Sequence, residues 1–467
     1  MNFAEVRFWE LLLAGLGVIA LARWPLARQR PGALPAFDRG ALCALGLFLL
    51  ACVSWLTVTI FLGVAVCSYY GLRWIVANHT RGHAWYLLVL IPLQLLPLFY
   101  YKYSHFVANQ VLGLEVDYFR GLLIPVGISF YTFQMVGFVV DTLAFKHPLP
   151  SFLDFLNFAS FFPQIVAGPI ERRDVLLPQV QRFAFQWSWR NLDQGAGWIV
   201  AGLFFKCCLA DNLAAFIHRE NTVNAWAIWA DNLLFGLRIY YDFAGYSLVA
   251  VGLGECMGVR LTLNFLSPYC STSIGEFWRR WHITLSQWFR DYVYIPLGGG
   301  RTRYWALTVA VVFVVSGIWH GAGWGFVLWG ALHGGYLIVN RLWSSRFRLP
   351  RPAAWLLTNT AAMGAWLAFY EVRSGFLQAK IQTLLAPGSY SWNNLRALWS
   401  QWDATSQAVL VLLLGLAGAT LVAEWRSVAG RNEPYYYLRR PVVLCVLVAL
   451  TLLLAPGVNN AFIYFAF

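Results

Sequence analysis

Two histidines stand out among the residues that could do chemistry, because both lie in strongly apolar or aromatic stretches. His320 ends the run WALTVAVVFVVSGIWH, and His282 follows a tryptophan in EFWRRWHITLSQWF. An ionisable side chain at membrane depth is costly and is a functional-site hypothesis by default. An unmetallated imidazole can take the proton of a hydroxyl that attacks an activated acyl group. The pair therefore predicts proton handling, either in acyl transfer or in the proton relay of a transporter.

The glycines around His320 have two interpretations. Gly317, Gly321 and Gly325 have the small-xxx-small spacing that lets membrane helices approach closely. The same glycines would leave room for a thioester to reach the base. On an uninterrupted helix, His333 is rotated roughly 220° from His320. We therefore expect a packing role for His333 unless the glycines bend the chain.

Motifs of other chemistries are absent from the sequence. It contains no GxSxG nucleophile elbow, HExxH zinc site, glycine-rich nucleotide loop or Walker motif. The eight cysteines show neither CxxC nor Cys/His ligand spacing. We expect neither a metal site nor a bound cofactor.

The composition is that of a membrane protein. Of 467 residues, 59% are hydrophobic and 12% are charged, whereas soluble domains carry about 25% charge. Apolar runs of about 20 residues, enough to cross a bilayer, recur along the chain. The net charge of +13 comes from arginines in short connections. That pattern indicates cytoplasmic loops and no nucleic-acid partner.

The apolar runs predict an all-α integral membrane protein of roughly ten to twelve membrane segments. We treat residues 1–467 as one domain, with N-terminal helices (1–100), a core (101–340) and C-terminal helices (341–467). The arginine-rich loops after residues 23, 340 and 425 predict a cytoplasmic location for those loops and an N-terminus outside. Candidate spans lie near residues 8–23, 41–72, 86–101, 122–143, 152–166, 196–217, 226–256, 305–319, 322–340, 353–370, 407–423 and 441–456.

Three segments do not have the pattern of simple spans. Residues 122–134 and 161–170 carry proline and glycine at apolar depth, which indicates re-entrant or broken elements around an internal space. Residues 271–300 predict one amphipathic helix, which begins at the capping-box pair Ser273 and Glu276. His282 falls toward its aromatic face, so a satisfied buried histidine is the alternative to a functional one.

Six motifs together resemble the membrane-bound O-acyltransferase (MBOAT) superfamily, and most closely its bacterial alginate O-acetyltransferase-like branch. The resemblance is dense over residues 100–340, and it departs from the family pattern at Leu248, where an aspartate is common. The motifs are IPVGISFYTFQ (124–134), FFPQIVAGPIERRDVLLPQ (161–179), YYDFAGYS (240–247), LNFLSPYCSTSIGEFWRRWHITLSQWFRDYVYIPLGG (263–299), SGIWHGAGWGFVLWGALHG (316–334) and FIYFAF (462–467).

The resemblance implies a ring of helices around a central tunnel, with re-entrant and interfacial helices, in an enzyme of the O-acyltransferase class. It implies that His320 is the catalytic base and that His282 is a second catalytic-site histidine that orients donor or acceptor. Arginines 279, 280 and 290 are candidates for steering an anionic donor, although membrane anchoring is the commoner role of such residues. The substrate-binding candidates are Trp281, Trp319, Asp242, Tyr246 and Arg279.

The reaction implied is transfer of an acyl group, most often acetyl, across a bacterial inner membrane. The donor is a cytoplasmic thioester, either acetyl-CoA or an acyl carrier protein. The acceptor is an extracytoplasmic polysaccharide hydroxyl, reached through a periplasmic SGNH-type acetyltransferase partner. Two alternatives remain: a D-alanyl- or lipid-type acyltransferase of the same family, and a transporter or exporter. The sequence has no inverted repeat of the kind common in transporters.

Overall fold

Helices account for the regular secondary structure of the described chain. The computed structural model describes residues 2–78, 83–344, 349–457 and 460–463. No strand occurs among these residues, which confirms the predicted all-α class. The α-helices within the described ranges are α1 (Val6–Gln29), α2 (Leu34–Val53), α3 (Trp55–Asn78), α4 (Leu87–Leu98), α5 (Ile128–Leu143), α6 (Phe152–Ala159), α7 (Phe162–Ile165), α8 (Arg173–Gln181), α9 (Trp189–Leu203), α10 (Asp211–Leu213), α11 (Ala225–Cys256), α12 (Ile274–Arg280), α13 (Ile283–Phe289), α14 (Trp305–His320), α15 (Trp324–Ser344), α16 (Arg351–Tyr370), α17 (Ser374–Leu385), α18 (Trp392–Ser400), α19 (Ala404–Ala429) and α20 (Pro441–Leu454).

Several helices are long and apolar enough to cross a membrane, so the chain is a polytopic membrane protein. Within the described residues, five meet this test by length and composition, and shorter apolar helices accompany them. One predicted span is wrong: residues 152–166 form the two short helices α6 and α7, too short to cross a bilayer. The five are Val6–Gln29, Pro31–Val53, Trp55–Asn78, Trp189–Phe216 and Ala404–Ala429.

The described chain divides into two compact units, and the first comprises Met1–Ile199 and Tyr246–Leu263. The interrupted segments predicted from proline and glycine both lie in it. Gly127 has a φ of 75°, a conformation that glycine adopts without strain. A Cβ there would lie 2.7 Å from the carbonyl oxygen of Ile165. The two irregular segments therefore pack directly against each other.

The second unit comprises Val200–Gly245 and Asn264–Phe467, and it contains both candidate histidines. Its helices α14 and α15 form a tight hairpin, because the chain leaves the helical conformation at residues 321–323. A Cβ on Gly317 would lie 2.2 Å from the carbonyl oxygen of Phe326, and one on Gly330 would lie 2.2 Å from that of Phe313. Both glycines therefore allow close helix packing, which the spacing predicted for Gly317 but not for Gly330.

The predicted single helix over residues 271–300 is wrong, because it breaks between α12 and α13. The predicted helix start is confirmed, since the Ser273 hydroxyl accepts a hydrogen bond from the Glu276 amide at 3.1 Å, although the Glu276 carboxylate accepts from the Thr272 amide at 2.9 Å in place of the reciprocal bond of a capping box. At the break, the Asn264 side-chain oxygen accepts a hydrogen bond from the Thr284 amide at 3.3 Å. That bond satisfies an amide in the first turn of α13. The break is thus stabilised by a partner distant in sequence, which helical periodicity does not show.

We predict that Gly330→Ala lowers the thermal unfolding temperature of the detergent-purified protein. The added methyl collides with the Phe313 carbonyl, and overpacking of this kind costs about 1–3 kcal/mol. Gly335→Ala, on the same helix, is the matched control, since a Cβ there meets nothing within 4 Å. Equal unfolding temperatures for the two variants would contradict the hairpin packing.

Candidate active site

The indole of Trp319 lies between the two candidate histidines. Its ring centroid is 4.9 Å from that of His320 and 6.0 Å from that of His282. His320 is the last residue of α14, and His282 lies at the break before α13. Both imidazoles are buried, with exposures of 2% and 0%. The fold thus brings together two histidines that are far apart in sequence.

His320 is surrounded by aromatic rings. Besides Trp319, its imidazole packs edge-on against Trp329 at 4.9 Å and against Phe369 at 5.2 Å. These neighbours come from α15 and α16, so three helices define the position of this side chain. An environment of this kind holds the ring in a narrow range of orientations and limits access of water.

His282 is held in a left-handed backbone conformation, with a φ of 42°. Its Nδ1 lies 3.3 Å from the side-chain oxygen of Asn264, and its ring packs on Phe243 with a centroid distance of 4.6 Å. Burial lowers the pKa of its imidazole to about 3, so the ring is neutral near pH 7. The residue is thus fixed by its backbone, by a polar contact and by aromatic packing.

His333 shares a neighbour with His320, contrary to the geometry of an uninterrupted helix. The ring of Trp329 lies 4.9 Å from each of the two imidazoles. The bend at residues 321–323 makes this possible, as the sequence analysis allowed. Nδ1 of His333 accepts a hydrogen bond from the indole of Trp278 at 3.3 Å. The contacts of His333 therefore agree with the expected packing and hydrogen-bonding role.

A cavity of about 460 Å³ runs between α12, α13, α14 and α15. Along α14 it extends from Trp305 to Ser316, a distance of about 16 Å at the helical rise. Ser316 precedes His320 by one helical turn, and Ser286, also in the lining, follows His282 by one turn. One end of the cavity therefore lies about one helical turn from each histidine.

The opposite end of the cavity is basic. Arg290 and Arg341 both line it, and Tyr294 and Trp305 lie beside them. The guanidinium of Arg341 packs over the Trp305 ring at 4.2 Å, while Arg290 pairs with Asp291 at 2.6 Å. The cavity thus combines basic groups at one end with small hydroxyls at the other.

The other two arginines considered as steering residues lie elsewhere. Arg280 forms an ion pair with Glu276 at 3.0 Å and donates a hydrogen bond to the Leu266 carbonyl at 2.8 Å. Arg279 is exposed on α12 and does not line the cavity. Of the three arginines, only Arg290 reaches the cavity.

Trp281, a predicted substrate-binding residue, is enclosed by aromatic side chains. It stacks on Phe277 with a centroid distance of 5.5 Å and packs against Trp366 at 4.9 Å. Its exposure is 1%. Trp281 is therefore packed among aromatic side chains, directly before the helix break at His282.

Asp242, another predicted substrate-binding residue, belongs to a buried polar cluster. It pairs with Lys206 at 2.7 Å and accepts a hydrogen bond from the Ile463 amide at 2.6 Å. Lys206 also pairs with Asp211 at 2.7 Å. The structure thus places Asp242 as an anchor for residues 460–463, of which 462 and 463 begin the motif FIYFAF; residues 464–467 of the motif lie outside the described residues.

Tyr246, the remaining predicted substrate-binding residue, lies in the first unit. Its ring stacks on Phe3 with a centroid distance of 4.3 Å, and its exposure is 2%. Its hydroxyphenyl ring is therefore packed against the N-terminal segment of that unit.

Several site residues were missed by the sequence analysis. Asn264 contacts His282, Ser316 lines the cavity, and Arg341 stands at its basic end. Ser316 was detectable in principle, because a residue four positions from a buried histidine shares its helix face. Arg341 and Asn264 carry no such local signal, since the fold alone brings them to the site.

No group of three or more metal-binding side chains occurs in the part of the chain that the structure describes. Imidazole, hydroxyl and guanidinium groups are the chemistry that this site presents.

The sequence matches a known family over its central part. Residues 128–370 match the family described as MBOAT, membrane-bound O-acyltransferase family. The Helicobacter pylori protein named peptidoglycan O-acetyltransferase is 34% identical, over 58% of this chain and 59% of its own length. Pseudomonas aeruginosa probable alginate O-acetylase AlgI is 35% identical, over 66% of this chain and 62% of its own. Azotobacter vinelandii probable alginate O-acetylase AlgI is 34% identical, over 76% and 73%.

The first two of these relatives are thus matched over about six-tenths of their length. All three names describe O-acetyl chemistry on a cell-envelope or extracellular polymer.

The left-handed backbone at His282 gives a prediction about stability. At this position we expect His282→Gly to be more stable than His282→Ala, because a Cβ at positive φ costs about 1 kcal/mol. At Ser286, inside α13, the order should reverse, since glycine is the poorer helix former. Thermal unfolding of the four variants in detergent measures both orders. If the alanine variant unfolded at the higher temperature at both positions, the left-handed backbone at His282 would be contradicted.

Proposed function

Because the chain belongs to the membrane-bound O-acyltransferase family, we propose that it transfers an acetyl group from a cytoplasmic thioester to a hydroxyl outside the membrane. The final acceptor in this proposal is an extracytoplasmic polysaccharide, and the protein acts in the inner membrane of a bacterium. The names of the related proteins, which concern alginate and peptidoglycan O-acetylation, support this class of acceptor.

The observation that carries the proposal is the arrangement around Trp319. Two buried histidines both pack against the Trp319 indole, and a cavity ends about one helical turn from each of them. Acyl transfer needs a positioned base and a site that excludes bulk water, because water would hydrolyse the thioester. The aromatic enclosure of His320 supports both requirements.

In the proposed reaction the acceptor oxygen attacks the carbonyl carbon of the thioester. His320 accepts the hydroxyl proton as the new C–O bond forms. The C–S bond then breaks, and the thiol leaves with the proton returned from the imidazolium. The acetyl group is transferred intact, and no oxidant or reductant is needed.

His282 takes an orienting role in this scheme. With a pKa of about 3, its imidazole is a weak base, poorly matched to proton abstraction near neutral pH. A neutral ring held by Asn264 can instead offer a fixed hydrogen-bonding group to donor or acceptor. The contact with Asn264 therefore supports the orienting role of His282, while the family resemblance supplies the role of base for His320.

The basic end of the cavity supports a phosphate-bearing donor. Coenzyme A and the prosthetic group of an acyl carrier protein both carry phosphate on a long thiol arm. Arg341 supplies positive charge where such a phosphate would lie, beside Arg290, whose charge is paired with that of Asp291. The length of the cavity along α14, about 16 Å, matches an extended arm. The thioester would then reach the Ser316 end.

The acceptor side of the proposal includes a second protein. The cavity of about 460 Å³ is the donor site in this proposal, so the acceptor approaches from elsewhere, and the resemblance to the alginate O-acetyltransferase-like branch implies a protein intermediary. We therefore propose that a periplasmic SGNH-type acetyltransferase receives the acetyl group and passes it to the polymer.

We predict that His320→Gln lowers acetyl transfer at least a hundredfold, since a general base contributes about 10²–10⁴ in rate. Glutamine keeps much of the side-chain volume but cannot act as the base. The measurement is acetyl ester content of the polymer outside cells, together with donor consumption by the purified protein. His147→Gln, a partly exposed histidine of the first unit, is the matched control.

Accumulation and unfolding temperature must match between these variants for the comparison to count. A folded His320→Gln protein with unchanged transfer would refute His320 as the base.

A second prediction concerns the cavity. Val312→Trp should raise the KM for the donor at least tenfold, because Val312 is buried in the cavity lining and a large indole would obstruct the arm. Val311→Trp is the control, since Val311 is 40% exposed and does not line the cavity. Steady-state kinetics with acetyl-CoA measure the effect. Equal KM values for the two variants would exclude this cavity as the donor site.

A further inference from the structure

A second, larger groove lies in the same unit, apart from the histidines. Its volume is about 880 Å³, and its wall includes Leu421, Val422 and Trp425 of α19 and Trp355 of α16. Two arginines stand in its lining, Arg351 and Arg431. The groove therefore combines an apolar wall with two cationic groups. Neither the histidines nor the basic end of the donor cavity belongs to it.

We propose that this groove binds an anionic phospholipid of the surrounding bilayer, with its phosphate on Arg351 and Arg431 and an acyl chain along α19. The proposal concerns a ligand of the membrane and goes beyond the acyl-transfer reaction. A lipid occupant unites both features of the groove, since it carries a phosphodiester and hydrocarbon in one molecule.

The charge of the groove favours an anion. Arg351 and Arg431 are exposed and have no acidic partner within the described ranges. Glu276 is the single acidic residue in the described lining. Its carboxylate already pairs with Arg280 at 3.0 Å and accepts a hydrogen bond from the Thr272 amide at 2.9 Å. The net charge left to a ligand is therefore positive.

The backbone around the groove also favours a negatively charged ligand. Arg351 is the first residue of α16, and a helix N-terminus carries partial positive charge. The C-terminal carbonyls of α19 would oppose an anion, but several are occupied. The amides of Gly430, Arg431 and Asn432 donate to the carbonyls of Arg426, Val428 and Ser427.

The apolar wall is continuous with a surface that faces hydrocarbon. Helix α19 is one of the helices able to span a membrane, and Val411, Val422 and Trp425 on it are more than half exposed. An acyl chain can lie along this helix without leaving the bilayer, whereas a soluble peptide would have to enter the lipid phase. Tryptophan and arginine together are typical of the headgroup level of membrane proteins. This continuity selects a lipid over a protein partner.

The distribution of arginines predicts the membrane leaflet from which the lipid would come. The groove lies at the C-terminal end of α19 and the N-terminal end of α16, where the arginine-rich connections predict the cytoplasmic side. Anionic lipids give that surface a negative potential, and each basic residue near it contributes about 1 kcal/mol of attraction.

The test compares lipid retention by the full-length protein. Protein in neutral detergent is mixed with phosphatidylglycerol or phosphatidylethanolamine of the same chains, and lipid adducts are counted by native mass spectrometry. Wild type should retain phosphatidylglycerol, and Arg351→Gln/Arg431→Gln should retain at least tenfold less. The matched control is Arg190→Gln/Arg396→Gln, which also removes two exposed arginines but none from the groove.

Equal retention by the two double variants would overturn the proposal. Displacement of phosphatidylglycerol by inorganic phosphate would also overturn it, because the acyl chain would then contribute nothing. A conservative change in the apolar wall tests the same point without removing charge. Brominated phosphatidylglycerol should quench wild-type fluorescence more than that of Trp425→Phe. Trp399→Phe, an exposed indole outside the groove, is its control, and an equal effect of both changes would contradict the site.

Discussion

An imidazole inside an apolar protein must exchange hydration for fixed partners, and in this chain those partners are aromatic rings. Trp319 contacts both His320 and His282, so the position of each imidazole depends on one indole. Trp329 extends the same packing to His333. A close-packed aromatic cluster has few alternative arrangements. This constraint turns three separate histidines into parts of one structure.

The rest of the second unit holds that cluster in place. Glycines at helix contacts let α14 and α15 approach until the backbones touch, which brings Trp329 to His320. The buried ion pair of Asp242 with Lys206 fixes residues 460–463, and Phe462 in that segment packs on Phe243 at 5.6 Å. Phe243 in turn packs on His282. Electrostatic and steric contacts thus converge on the histidines from segments that are far apart in the sequence.

The sequence predicts the parts of this account that depend on local pattern. Apolar run length predicts the all-α membrane class, and the rarity of intramembrane histidine singles out His320. Spacing of glycines predicts the close packing at Gly317. The break at His282 escapes such reasoning, because the group that stabilises it is Asn264, whose side chain is brought there by the fold.

The roles of side chains are harder to predict from the sequence than the positions of helix breaks. Asp242 belongs to one of the motifs that resemble the MBOAT family. Its contacts, however, are with Lys206 and a backbone amide of the C-terminal segment. The sequence carries no sign of that pairing, because residue 463 is far from residue 242. Arg341 likewise reaches the cavity only because α15 returns along α14.

The proposal on which the others depend is delivery of a thioester, through the cavity, to its Ser316 end, about one helical turn from His320. Its most direct test is an experimental structure with a non-hydrolysable thioether analogue of acetyl-CoA. We expect the phosphates at the end marked by Arg290 and Arg341, and the acyl carbonyl beside Trp319. Density in the opposite orientation, or an acyl group far from both imidazoles, would contradict the account.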